Sequence, residues 1–156
     1  MNPTPSQTVG PYFAVMLPWA RSEELGSALW LRGTLYDGRS EPVPDGILEV
    51  WDAASGGFGR CRTTAGGEYA FRFDMPGPIG AQAPHLAMSV FARGLLDRVV
   101  TRVYFPDEPG NATDPVLSAI PDTAVRESLV ARKDDDGYRF DIHLQGPHET
   151  AFFELV

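Results

Sequence analysis

A chain of 156 residues, 43% of them hydrophobic, is long enough for one domain with a substantial core and too short for two. Its net charge of −8 argues against nucleic acid or an anionic membrane as the main partner, and no apolar run approaches the ~18 residues of a membrane span. The single cysteine, Cys61, can form neither an internal disulfide nor a multi-thiolate metal site. With an N-terminus that lacks the basic and then apolar regions of a secretion signal, this favours the cytoplasm.

Residues 1–27 carry Pro, Gly and Ser among isolated aromatics and show no periodicity. We read them as an extended N-terminal arm that lies on this domain or on a partner subunit, and residues 28–156 as one β-sandwich domain. The 16 Gly and 14 Pro are spread among short apolar segments, which is an all-β pattern. Residues 28–36 put Leu29, Leu31 and Leu35 on one face and end at the turn Asp37-Gly38. Pro44-Asp45-Gly46 predicts a turn and residues 47–51 a second strand. In residues 68–74, Tyr69, Phe71 and Phe73 alternate with polar or small residues, so that strand has one buried face. Residues 85–91, 99–105, 138–144 and 151–155 supply four more, giving seven strands. One helix is predicted over 121–132, with Asp122 or Thr123 as N-cap and Val125 and Leu129 on one side. Asp134-Asp-Asp-Gly137 reads as a solvated turn, since no calcium-loop spacing follows it.

The candidates for chemistry are few. No Gly-x-Ser-x-Gly elbow is present, and Cys61 between Arg60 and Arg62 reads more simply as a strand cysteine than as an activated thiol. His143 and His148 are separated by Gly146-Pro147, a turn, so they need not face one point. On residues 85–91, period two places His85, Ala87 and Ser89 together. A His-x-His pair would aim two imidazoles at one ion, whereas here Ala87 holds the second place. The favoured reading of His85 is a structural histidine hydrogen-bonded inside the sandwich. Arg93, in Phe-Ala-Arg-Gly94, follows that strand at a turn. An arginine there can present its fork to a carboxylate, or it can form an ion pair with one of the 21 acidic residues.

Eight segments in order resemble the intradiol ring-cleaving dioxygenases, and among them the α-type subunits. They are Thr4-Pro-Ser-Gln-Thr-Val-Gly-Pro-Tyr12, Ile47-Leu-Glu-Val-Trp51, Ala83-Pro-His85, Phe91-Ala-Arg-Gly94, Thr101-Arg-Val-Tyr-Phe105, Asp114-Pro-Val-Leu117, Tyr138-Arg-Phe-Asp-Ile142 and Glu149-Thr-Ala-Phe-Phe153. The resemblance implies a β-sandwich of the intradiol type and a hetero-oligomer of α and β subunits. It implies non-haem Fe(III) held by two tyrosines and two histidines of the β subunit. The reaction implied is cleavage of 3,4-dihydroxybenzoate by O2, between its hydroxyls, to 3-carboxymuconate.

In the iron-ligand pattern, His85 stands at the first histidine, Ala87 at the second and Ile79 at the nearer tyrosine. The other tyrosine belongs to a loop that here shrinks to residues 52–59 and has none. The resemblance therefore implies no metal ligand and no catalytic residue in this chain. Thr8, Gly10, Pro11 and Tyr12 match α-subunit residues that line the partner's iron pocket, and Arg93 matches an arginine bordering it. Two rivals stand beside this expectation: a non-enzymatic transthyretin-like module, and an α-type subunit for another catechol such as a hydroxyquinol.

Overall fold

The computed structural model describes Pro5 and residues 23–154. Their strands are β1 (Leu29–Tyr36), β2 (Ile47–Asp52), β3 (Gly57–Arg62), β4 (Glu68–Phe73), β5 (His85–Phe91), β6 (Val99–Tyr104), β7 (Arg132–Asp134), β8 (Gly137–Arg139) and β9 (Ile142–His143). One sheet has the order β4-β1-β8-β7, with β9 also pairing β1, and the other the order β3-β2-β5-β6. Strand alternation turns Leu31, Leu35, Phe71 and Phe73 inward from the first sheet, and Leu48, Val50, Leu86, Met88, Val90 and Val103 from the second. These side chains form one core between the layers, so the expected sandwich is present.

The elements differ from the sequence reading at places where side chains satisfy backbone groups. The predicted loop 52–59 is a tight hairpin. Asp52 accepts from the Ala54 amide at 2.9 Å and the Ser55 hydroxyl at 2.5 Å, Gly56 takes a φ of +77°, and β3 begins at Gly57. The segment 138–144 is two short strands rather than one. At its break the Phe140 carbonyl lies against Gly33 and accepts the Tyr69 hydroxyl, while the Asp141 carboxylate takes the Thr34 amide at 3.0 Å.

The predicted helix 121–132 ends early, as α2 (Thr123–Glu127), capped by Asp122. Beyond it, the Tyr104 amide donates to the Leu129 carbonyl and the Ala131 amide to the Tyr104 carbonyl, both at 2.9 Å, so the chain leaves the helix to pair with β6. A second helix, α1 (Pro115–Ala119), follows a 3-10 turn at Pro109–Thr113. Of the predicted strand 151–155, Phe153 bridges Val100, and Leu155 lies outside the described residues.

At the open side of the sandwich, the Leu25 and Gly26 amides donate to the Arg72 carbonyl at 2.8 and 3.1 Å. The Leu25 side chain covers Gly59 and Phe71 there, sealing the gap between β3 and β4. Thr8, Gly10, Pro11 and Tyr12 lie outside the described residues.

Candidate functional site

Strand β5 has two unlike faces. Leu86, Met88 and Val90 enter the core, whereas His85, Ala87 and Ser89 face away from it. One end of this outer face is roofed by the helical segment, whose Leu117 and Leu129 pack with Ala83 and Tyr104 in a second small apolar cluster. His85 lies beneath that roof, 5% exposed, with its ring 5.3 Å from that of Tyr104. Its Nδ1 is 2.8 Å from the Ala83 carbonyl, which can only accept, so Nδ1 carries the proton and Nε2 the lone pair. Burial holds the imidazole below its ordinary pKa and therefore neutral. His85 is a buried, hydrogen-bonded histidine, on the outer side of the second sheet rather than between the sheets.

The side chains around His85 do not fit a ferric ion. Ala87, next on the same face, offers no donor atom, nor does Ile79 at the place where the resemblance expects a tyrosine, and one imidazole does not make a site. The tyrosine tilted against it, Tyr104, is held as a neutral phenol, because burial pushes its pKa up. Its hydroxyl donates to Asp114 at 3.3 Å and receives Arg102 Nη1 at 3.2 Å. Asp114, fully buried, also accepts the amides of Ala83, Val116 and Leu117 at 2.8 to 2.9 Å. This carboxylate joins helix α1 to β5 and β6 and orders the roof. Among the described residues no cluster of three or more His, Cys, Asp or Glu converges on a point suited to a metal.

Arg93 lies at the other end of the same face. Eight residues beyond His85, at ~3.3 Å per residue, it is roughly 26 Å away, so the fold does not bring these two candidates together. It occupies the tip of a turn closed by the Leu95 amide on the Ala92 carbonyl at 3.2 Å, with Gly94 at a φ of +88°. Its Nε is 3.3 Å from Oδ2 of Asp45, so the ion pair considered as the plainer alternative is present. The Arg93 side chain is 56% exposed and that of Asp45 only 15%.

Asp45 is the residue that sequence reasoning passed over. Its signal was the antiparallel register: Ile47 pairs with Phe91, and two residues outward on each strand stand Asp45 and Arg93.

The remaining candidates have structural surroundings. His143 stacks on Tyr36 at 4.8 Å and meets His148 edge-on at 5.9 Å. Burial pushes the Cys61 thiol up to about 12, the reverse of an activated cysteine. Arg102 bonds to Gln82 at 2.8 Å and to the Tyr104 hydroxyl at 3.2 Å.

No family model matches the chain. It is 37% identical to the protocatechuate 3,4-dioxygenase alpha chain of Pseudomonas putida, over 97% of this chain and 96% of that one. The beta chain of the Burkholderia cepacia enzyme is 32% identical, over 82% and 68%. Among solved structures, the dioxygenase domain of a dioxygenase carbohydrate-binding fusion from Streptomyces sp. SirexAA-E superposes with a TM-score of 0.64. It is 26% identical, over 93% of this chain and 99% of that one.

The two sheets and the β5 site thus define a β-sandwich of the dioxygenase type. More narrowly, the chain belongs to the protocatechuate 3,4-dioxygenase alpha chains, within the intradiol ring-cleavage dioxygenases. The alignment with the P. putida chain runs over 193 positions although this chain has 156 residues, so the relative carries segments absent here.

Proposed function

We propose that this chain is the pocket-completing subunit of a protocatechuate 3,4-dioxygenase: it holds no iron and lends residues to a site on a β-type partner. The enzyme would act in the cytoplasm. The observation that carries this reading is the donor set on β5, where His85 is hydrogen-bonded beneath the roof and Ala87, which has no donor atom, holds the next place on the same face. When bound by the partner, Fe(III) supplies the Lewis acidity that binds the catecholate and prepares its ring for O2.

This chain's part is binding and orientation. Residues 23–26 pack on this chain's own sandwich, so the arm that reaches the partner is residues 1–22, with Thr8, Gly10, Pro11 and Tyr12 lining the pocket there. Arg93, exposed and some 26 Å from this chain's own His85, offers its guanidinium to the benzoate carboxylate across the boundary. A charge-assisted fork of this kind favours carboxylated over plain catechols.

Co-expression with a β chain tests the reading, with turnover of 3,4-dihydroxybenzoate as the readout. The assembled pair is expected to turn over substrate, and deleting residues 1–22 of this chain to lower kcat/KM at least about tenfold. Full activity of the β chain alone, or of the pair with the truncated chain, would contradict it.

A further inference from the structure

The pairing of Asp45 with Arg93 follows from the strand register, and its asymmetry points outward. The antiparallel ladder of β2 and β5 runs to Ile47 opposite Phe91, and the same spacing carries on to Asp45 opposite Arg93. The Asp45 side chain is 15% exposed while Arg93 is 56% exposed. A mostly buried carboxylate needs a positive partner, and Oδ1 of Asp45 is buried without any hydrogen bond. Its ion-pair partner among the described residues is Arg93, whose Nε is 3.3 Å from Oδ2. The two terminal guanidinium nitrogens make no hydrogen bond among the described residues. They carry the edge of the fork that suits a carboxylate.

As a stability device, a pair whose arginine is half-exposed contributes little. As an orienting device it limits the rotation of a long side chain that stands at a turn tip. We propose that Asp45 is the positioning residue of Arg93: it takes the Nε side of the guanidinium and aims the terminal fork outward at the carboxylate of the substrate. This rests on the reading of Arg93 given above, and it adds the residue that makes that arginine selective. Arg93 without Asp45 keeps its charge but samples several rotamers, so the carboxylate loses its prepared contact.

The test uses the assembled α–β enzyme and compares 3,4-dihydroxybenzoate with catechol, which lacks the carboxylate. Asp45→Asn is expected to raise KM for the carboxylated substrate about fivefold, with kcat and the KM for catechol within about twofold of wild type. Should that variant not assemble, Asp45→Glu, which keeps the charge but displaces it by one methylene, is expected to give a smaller rise with the same selectivity. An unchanged or lowered KM for the carboxylated substrate, or an equal rise for both substrates, overturns the proposal.

Arg93→Ala separates the two layers. If it raises KM for 3,4-dihydroxybenzoate while Asp45→Asn is silent, the role of Arg93 stands and that of Asp45 falls. If Arg93→Ala is itself silent, both fall.

Discussion

Residue 33 illustrates how a single atom sets an identity in this chain. A Cβ at Gly33 would collide with the Phe140 carbonyl oxygen and the Tyr69 hydroxyl that donates to it. Both partners are buried, so neither can move aside cheaply. Gly33→Ala is therefore expected to destabilise the protein by roughly 2–3 kcal/mol in urea unfolding. Gly80→Ala, at a φ of +59° but with nothing within 4 Å, should cost only about 1 kcal/mol.

His85 makes a second prediction at this scale. Its folded pKa is below the ordinary 6.5, so the unfolded chain takes up the proton first as pH falls. Its contribution is whole above pH 6.5 and is lost as pH drops toward the folded value. His143, also lowered, acts in the same direction. The shifted aspartates Asp37, Asp74, Asp107 and Asp136 all lie below 3.8 and do not titrate in this window. Unfolding free energy measured from pH 7 to pH 5 should fall for the wild type and fall less steeply for His85→Gln.

Two aspartates cap neighbouring helices and should differ sharply in worth. Asp122 caps α2 in solvent, and Asp122→Ala is expected to cost about 1 kcal/mol. Asp114 caps α1 from a fully buried position while also holding the Ala83 amide and the Tyr104 hydroxyl. Asp114→Ala should cost roughly 3 kcal/mol in the same denaturation experiment. Equal losses would mean that the roof over His85 is not organised by Asp114.

The same contrast explains what could be read in the sequence. Strands β1, β2, β4, β5 and β6 were visible because apolar residues alternate along them over six residues or more, as Tyr69, Phe71 and Phe73 do. Strand β3 was not, because its inward positions are Gly57, Gly59 and Cys61, and Leu25 fills the space that their side chains leave. Helix α1 was hidden by its length of five residues, too short to show a periodicity. Its one signal was Asp114 before Pro115. At the site, His85-x-Ala87 could be read directly. Asp45 could not, because its partner is 48 residues away in sequence and is identified only once the register of β2 and β5 is known.

At the scale of the molecule, the second sheet has a roofed end and an open end. The roof, carried by α1, α2 and the 3-10 turn, covers Tyr104 and His85. Trp51, opposite Ala87 in the register, and its β3 partner Phe58 are 46% and 48% exposed. The fold keeps the family's sandwich, and the outer face of β5 holds one neutral imidazole, His85, followed on the same face by Ala87. No helix among the described residues is long and apolar enough to cross a membrane.

The claim on which the account depends is that this chain contributes residues to a partner's iron site and has none of its own. The most direct test is the iron content and tyrosinate-to-iron colour of the chain purified alone and of its complex with a β chain, both after loading with iron. The account predicts a colourless, iron-free chain and a coloured complex with about one iron per α–β pair. Stoichiometric iron and colour in the chain alone would contradict it.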